Sequence, residues 1–219
     1  MPAATPANTA AICTVLSAPR AQTFISATGG DIARAMALYS WNARIAAALM
    51  VPFHFAEIAT RNAVSDALTA TYGPRWPWDG NFERSLPGPG GPSYNPRRDL
   101  TRARSKEHTT GKVIAELKFA FWQSMFTARH DVRVWDHQIL TLFPSRTSHT
   151  ARELRGRIYT DLDSIRKLRN RVAHHEPIFS RNLTADLTRL LELVELRCAD
   201  TAAWLRAMEE VSTLLPQRP

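Results

Sequence analysis

The chain has 219 residues and a formal net charge of +8, and 44% of its residues are hydrophobic. This composition is that of a globular protein with no bias toward disorder, and the length suits one large or two small domains. The N-terminal residues 1–16 contain a short apolar stretch with no basic residue before it, so a loose tail is predicted rather than a secretory signal. No apolar run approaches the roughly 20 residues of a membrane-spanning helix. A cytoplasmic protein without membrane contact is expected.

The rest of the chain, residues 17–219, is predicted to form a single all-helical (all-α) domain. Asp31 is a favourable N-cap for a helix over 31–50. The apolar residues of that helix recur at spacings of three and four, which is typical of an amphipathic helix. These residues are Ile32, Met36, Tyr39, Ala43, Ala46 and Met50.

Pro52 is expected to break or kink the chain before a second helix, roughly 53–71, which Gly73 closes. Glycine and proline are dense between Gly73 and Pro96, so this stretch is predicted to be a loop with neither helix nor strand. Loops of that length are usually functional or mobile.

Helical patterns resume at Asn95-Pro96, a cap followed by a proline at the first helical position. The remaining helices are predicted at about 96–109, 112–127, 131–142, 148–173, 181–197 and 200–214. The last two of these helices contain apolar stripes, which are expected to face the core or to form a dimer surface. They contain Leu183, Leu187, Leu190, Leu191 and Val194, and then Trp204, Leu205, Met208, Val211 and Leu215.

Common cofactor and metal motifs are missing from the sequence. Phosphate-binding glycine loops, HExxH and GxSxG do not occur. Cys13 and Cys198 lie far apart and belong to no CxxC pair, which predicts neither a disulfide framework nor a zinc site and suits a reducing compartment. His137 and His149 stand without partners at ligand spacing. We therefore expect no cofactor and no metal.

Basic residues crowd two segments, which favours a polyanionic partner, most commonly nucleic acid. A GC-rich genome would produce the same excess of arginine, and a solvated helix face is an equally good account of the first segment. The residues predicted to bind RNA are Arg97, Arg98, Arg102, Arg104, Lys106, Arg166 and Arg171. Three aromatic residues near the Gly/Pro-rich stretch, Trp76, Trp78 and Tyr94, either stack on unpaired bases or anchor the loop to the core.

The run LRNRVAHHEPIF concentrates residues that suit phosphodiester chemistry. Arg169 lies near the edge of a stripe formed by Leu154, Ile158, Leu162, Ile165, Leu168 and Val172. On an unbroken helix, His174 would point about 140° away from Arg169. The two side chains can meet at one substrate only if the helix ends between them or if a second copy contributes. Pro177 disfavours helical geometry at the residue before it, which predicts a helix end nearby.

Metal-free RNA cleavage needs a base for the 2′-hydroxyl proton, an acid for the leaving 5′-oxygen and positive charge on the transition state. A histidine can move the protons near neutral pH, and Arg169 can hold the phosphate. Asn170 can orient either group. The alternative is a helix C-terminus carrying Arg and His because they suit the helix dipole.

The same run resembles the RNxxxH form of the R-x(4–6)-H motif of HEPN-domain ribonucleases. The doubled histidine followed by a turn resembles Abi-like proteins, the bacterial abortive-infection group of the AbiD and AbiF type. The segment LYSWNARIAAALMVPFHFAEIATRNAVSDAL resembles that group's N-terminal helices. Together the resemblance covers roughly residues 31–72 and 154–182.

This resemblance implies a HEPN-like helical bundle with additional helices and a Gly/Pro-rich loop. It assigns catalysis to Arg169, Asn170 and His174, and His175 also fits the looser spacing. It further implies a metal-independent endoribonuclease with an anti-phage or toxin role, acting as a homodimer with the active site at the interface. The family also contains non-catalytic RNA-binding members, so a silent RNA-binding or regulatory module is the alternative. A scaffold that only oligomerises is the third reading. An antitoxin partner is unknown.

Glu57, Arg61 and Asn62 form a second polar cluster. Glu57 and Arg61 are four residues apart and can simply pair on a helix surface. The functional interpretation is that one of them lines the same cleft and orients Arg169 or a histidine.

Overall fold

The computed structural model describes residues 8–88, 94–145 and 149–219. Within these ranges every regular element is helical and there is no strand, which confirms the all-α prediction. The helices are α1 (Thr9–Leu16), α2 (Ala18–Ala27), α3 (Ile32–Ala48), α4 (Met50–Tyr72), α5 (Gly80–Ser85), α6 (Pro96–Lys106), α7 (Thr110–Glu116), α8 (Phe119–Met125), α9 (Asp136–Leu142), α10 (Ala151–Ala173), α11 (Leu183–Arg197), α12 (Ala199–Met208) and α13 (Val211–Leu214). Short 3₁₀ turns occupy Trp76–Trp78, Ala128–His130 and Leu215–Gln217, and a π turn occupies Asp131–Trp135.

The long helices α3 and α4 follow each other with one intervening residue. The Asp31 carboxylate accepts a hydrogen bond from the Arg34 backbone N–H at 2.9 Å and so caps α3 as predicted. The break comes at Leu49, before the expected Pro52. Pro52 lies in the first turn of α4, where its missing N–H breaks no intrahelical bond. Gly73 ends α4 with a φ of 85°, a conformation that favours glycine.

The core forms where α4, α10, α11 and α12 pack together, with α8 and α9 against α10 and α2 and α13 against α3. The predicted stripe of α10 is fully buried, as the spacing requires. Trp41 of α3 donates its indole N–H to the Leu214 carbonyl at 2.7 Å and ties the C-terminus to the bundle.

The N-terminal prediction is wrong for residues 9–16, which form helix α1 instead of a tail. The Asn8 side chain caps this helix by accepting from the Ala11 backbone N–H at 3.0 Å. Ile12 and Cys13 pack against the core, so the short apolar stretch has a surface to cover. Residues 1–7 of the expected tail lie outside the described residues.

The prediction of a loop between Gly73 and Pro96 is also wrong over residues 76–85. These residues form a 3₁₀ turn followed by α5. The Asp79 carboxylate caps α5 by accepting from the Asn81 and Phe82 backbone N–H groups at 2.8 and 2.7 Å. Phe82 is buried edge-on against Trp76, with ring centroids 5.4 Å apart. Local capping and aromatic burial therefore outweigh the glycine and proline content. Residues 89–93 of this stretch lie outside the described residues.

Two predicted helices are interrupted. The segment 112–127 divides at Leu117, whose backbone is extended, and the next N–H, that of Lys118, donates to the Asp99 carboxylate at 3.3 Å. The segment 200–214 divides at Glu209. Trp204 is 62% exposed, so of the two predicted roles of its stripe, core or dimer surface, the core does not apply to this residue. It packs instead edge-on against Phe55.

The stretch Ile32–Tyr72 is long and apolar enough to cross a membrane by length and composition alone. One third of its apolar window is buried inside the bundle. The stretch is also divided at Leu49 and packs against α11 and α13. Core helices of soluble proteins have the same properties, so this stretch is weak evidence for a membrane span.

Candidate functional site

The predicted helix end falls inside the Arg and His run. Helix α10 ends at Ala173, and the His174 backbone N–H still donates to the Asn170 carbonyl at 2.9 Å. His175 then adopts a left-handed φ of 55°, and the Glu176 N–H closes the turn on the Arg171 carbonyl at 2.8 Å. This is the hydrogen-bond pattern of a Schellman cap, here with histidine where glycine is usual.

Side chains from three elements hold the segment after this cap. The Arg171 guanidinium donates to the Pro177 carbonyl at 2.8 and 3.2 Å. The Asn42 Oδ1 of α3 accepts from the buried Ile178 N–H at 2.8 Å. Arg20 of α2 donates to the His175 carbonyl at 2.5 Å. The left-handed residue is therefore fixed by α2, α3 and α10 together.

A pocket of about 500 Å³ opens between α2, α3 and the end of α10. We call it the apolar pocket, because aliphatic and aromatic side chains make most of its wall, with charged groups among them. Its lining residues are Arg20, Phe24, Tyr39, Asn42, Ala43, Ala46, Ala47, Met50, Arg169, Val172, Ala173, His175 and Glu176. Tyr39, Ala43, Ala46 and Met50 belong to the apolar residues of α3 that recur at spacings of three and four.

A second pocket of about 300 Å³ lies on the other side of Arg169, between α4 and α10. We call it the charged pocket. Its lining residues are Met50, Phe53, His54, Glu57, Ile58, Arg61 and Arg169. Arg169 and Met50 line both pockets, so the two are adjacent, and we refer to them together as the cleft.

The arginines of the cleft have no counterion within the described chain. Neither Arg61 nor Arg169 forms a hydrogen bond or an ion pair there, and the buried Nε of Arg61 has no acceptor. The simple pairing of Glu57 with Arg61 is therefore not formed. Two guanidinium groups facing one small pocket make a favourable place for a doubly coordinated oxyanion such as a phosphate.

The two adjacent histidines are separated by the cap. His175 lines the apolar pocket with Arg169. His174 and Asn170 are four residues apart on a different face of α10, and they line neither pocket of the cleft. Of the two histidines, it is therefore His175, after the left-handed turn, that lines a pocket with Arg169.

His54 is a candidate residue that the sequence reasoning missed. It lies three residues before Glu57 and seven before Arg61, on the α4 face that meets Arg169. This spacing was a usable signal. Asn62 lines a third pocket of about 350 Å³, which shares His54 and Ile58 with the charged pocket but does not include Arg169.

Four of the arginines predicted to bind RNA serve the fold. Arg104 pairs with Glu83 at 2.7 Å, and Arg97 donates to the Arg84 and Leu86 carbonyls. Arg166 binds Gln123 and Asp163, and Arg171 holds the Pro177 carbonyl. The hydrogen bonds from Gln123, Arg166 and, above all, Lys167 lower the pKa of Asp163 to about 2. Arg98, Arg102 and Lys106 remain exposed along one face of α6.

The aromatic residues near the Gly/Pro-rich stretch mainly anchor it. Trp76 is completely buried. Trp78 is half-buried, with the Arg75 guanidinium 4.9 Å from its ring centroid. Tyr94 donates its hydroxyl to the Asp99 carboxylate at 2.6 Å, and burial together with this carboxylate raises the pKa of the phenol.

Among residues 8–88, 94–145 and 149–219, no group of three or more His, Cys, Asp or Glu side chains is arranged to hold a metal ion. Comparison of the chain with protein-family models, with curated proteins and with solved structures finds no match.

Proposed function

We propose that this chain is an endoribonuclease of the HEPN type that needs no metal ion and works in the cytoplasm. The observation that carries the proposal is the cleft centred on Arg169. It combines two guanidinium groups that lack counterions with His175, His54 and Glu57, three groups able to move protons.

In the proposed reaction, the RNA 2′-oxygen attacks the adjacent phosphorus while a base takes its proton. The bond from phosphorus to the 5′-oxygen breaks, and an acid protonates that oxygen. Arg169 and Arg61 stabilise the negative charge that accumulates on the phosphoryl oxygens. The products are a 2′,3′-cyclic phosphate and a 5′-hydroxyl end.

His175 is the proposed proton carrier from the same chain, because it shares a pocket with Arg169. His174 lines neither pocket of the cleft, and in this proposal it contributes when a second copy presents it. A symmetric homodimer with the two RNRVAHH segments facing each other would supply one histidine from each chain to one phosphate. The proposed dimer therefore gives both histidines a role.

The test is the chemistry of the product ends. Purified protein incubated with a 5′-labelled single-stranded RNA is expected to yield fragments that end in a 2′,3′-cyclic phosphate. Arg169→Ala should remove this activity, whereas Arg34→Ala, at an exposed arginine of α3 outside the cleft, should retain it. Fragments that end in a 3′-hydroxyl would contradict the 2′-oxygen mechanism. RNA binding without cleavage would favour the non-catalytic module.

An anti-phage or toxin role belongs to the same proposal and rests on the resemblance of the α3–α4 and α10 segments to Abi-like proteins. Induced expression in a bacterial host is expected to arrest growth in an Arg169-dependent manner. Equal growth with the wild-type and Arg169→Ala chains, at equal protein levels, would contradict it.

A further inference from the structure

The α3 residues Tyr39, Ala43, Ala46 and Met50 have the spacing of a core-facing stripe, yet no element of the described chain covers them completely. They form a wall of the apolar pocket instead. Met50 is 56% exposed at its mouth. A volume of about 500 Å³ lies within the ordinary range of small-ligand sites. An apolar pocket of this size beside two cations suits a ligand that is flat and apolar at one end and anionic at the other.

Asn42 gives the pocket a directed polar group. Its side chain is only 8% exposed, and its Oδ1 is committed to the Ile178 N–H at 2.8 Å. The Nδ2 group is therefore left to donate, and it has no acceptor among the described residues. The donor is accessible from the pocket, so a ligand that offers an acceptor can bind it.

Arg169 joins this pocket to the charged pocket, where the buried Nε of Arg61 also lacks an acceptor. A phosphate held by the two arginines would place the rest of a nucleotide at the entrance of the apolar pocket. Nucleobases carry ring nitrogen or carbonyl acceptors, and their flat faces stack on aromatic side chains such as Tyr39.

We propose that the apolar pocket binds one unpaired nucleobase of the RNA, with Asn42 Nδ2 donating to a base acceptor and Arg169 and Arg61 holding the adjacent phosphate. The proposal rests on the proposed function for its substrate class, and it restricts that class to single-stranded RNA. A base inside a duplex would have to leave its stack first.

Binding of small probes to the full chain tests the pocket without reference to cleavage. Calorimetric titrations would compare the four nucleoside 5′-monophosphates with ribose 5-phosphate and inorganic phosphate. At least one nucleotide is expected to bind about tenfold more tightly than ribose 5-phosphate, as stacking of one base would produce. Equal affinity of all four nucleotides and ribose 5-phosphate would overturn the proposal.

A substitution that fills the apolar pocket with a larger side chain provides a second test of the proposal. Ala43→Phe introduces a ring from an exposed position of α3 and should abolish the preference for nucleotides over ribose 5-phosphate while leaving phosphate affinity unchanged. Ala46→Leu is a smaller filling in case the first variant folds poorly, as judged by circular dichroism. Ala33→Phe, at an exposed position in the first turn of α3, is the matched control and should retain the preference. An unchanged preference in a folded Ala43→Phe chain would overturn the proposal.

Asn42→Asp keeps the acceptor for Ile178 and replaces the donor with an oxygen, so it should weaken the nucleotide that binds best. Light scattering on the same proteins tests whether a second copy of the chain occupies the apolar pocket instead of a base. If Ala43→Phe dissociates a dimer, a second copy fills the pocket and the base proposal is wrong. A preference for nucleotides without RNA cleavage would contradict the proposed nuclease activity and support the base-binding pocket. RNA cleavage without a preference for nucleotides would contradict the base-binding pocket and support the nuclease activity.

Discussion

At the scale of single residues, the two histidines that follow α10 differ in backbone geometry, and this difference decides what each can reach. His174 continues the helical path as its cap, whereas His175 turns back through a left-handed φ of 55°. The His174 side chain shares a helix face with Asn170. The His175 side chain shares a pocket with Arg169.

This geometry predicts unequal effects of substitution in diluted protein. His175→Ala should lower the cleavage rate by about 10²–10⁴-fold, the usual contribution of a general acid or base. His174→Ala should have a smaller effect where the chain is monomeric and a comparable one where it is dimeric. Single-turnover rates at two protein concentrations give the measurement. A full loss in His174→Ala with wild-type rates in His175→Ala would reverse the assignment.

His130 predicts a pH dependence of stability that is separate from the cleft. It is 3% exposed and its Nε2 has no hydrogen-bond partner, and burial lowers its pKa from 6.5 to about 4, assisted by Arg129 and Arg133. The unfolded chain then binds more protons than the folded chain between pH 6.5 and 4. Above pH 6.5 this histidine does not lower the free energy of unfolding. As the pH falls below 6.5 the free energy of unfolding decreases, by about 2 kcal/mol at pH 5.

Urea unfolding at pH 7 and pH 5 measures this effect. His130→Gln should lose less stability than the wild type between the two values, although it is less stable at pH 7. His137→Gln, at an exposed histidine, should follow the wild type. If the wild type and His130→Gln lose the same amount, the low pKa of His130 is wrong.

Residue chemistry was the part of the site that the sequence predicted best. The spacing of Arg169, His174 and His175 and of Glu57 and Arg61 located the cleft. The sequence could not predict which histidine returns to the arginine, because that depends on a positive φ at a residue that seldom adopts one. His54 was missed because the second polar cluster was taken to begin at Glu57, and the histidine three residues before it was not grouped with it.

At the scale of elements, caps determined where the prediction succeeded. Asp31, Asn95 and Gly73 each lie where the sequence placed a helix end. Asn8 and Asp79 also cap helices, but composition obscured them: one lies in an expected tail and the other in a stretch dense in glycine and proline. The burial of Phe82 against Trp76 depends on tertiary packing and could not be read from local pattern.

The capping box of α10 gives the element-scale prediction. The Thr150 hydroxyl accepts from the Glu153 backbone N–H, and the Glu153 carboxylate accepts in return from the Thr150 backbone N–H. Thr150→Ala should lower the free energy of unfolding by about 1 kcal/mol. Thr160→Ala, at an exposed mid-helix threonine, is the matched control and should cost less. Equal midpoints in denaturant for Thr150→Ala and the wild type would show that the box contributes nothing.

The stripe of α3 shows the limit of periodicity. Its spacing correctly predicted a helix, but only Met36 of its six residues is buried and four of them line the pocket. The face of α3 that packs into the core contains Ala35, Leu38, Trp41 and Ile45 instead. Periodicity reports which residues share a face. It does not report whether another element covers that face.

At the scale of the whole molecule, a homodimer makes a prediction about mixed subunits. If His174 acts on the Arg169 of the second chain, a heterodimer of Arg169→Ala and His174→Ala contains one complete site. An equal mixture should then recover about a quarter of the wild-type activity, since about half of the dimers are mixed and each has one working site of two.

The matched mixture of Arg169→Ala with His175→Ala should stay inactive, because these two residues lie in one chain's cleft. Light scattering at the assay concentration checks that dimers form. Recovery in both mixtures, or in neither, would contradict the division of the two histidines between chains.

The most direct test of the central claim is the rate at which purified protein cleaves single-stranded RNA in excess EDTA. The wild-type chain is expected to cleave at the same rate with and without the chelator, and Arg169→Ala should be slower by about 10²–10³-fold with unchanged circular dichroism. Activity that disappears in EDTA and returns with magnesium, or a folded Arg169→Ala chain that cleaves at the wild-type rate, would contradict the account.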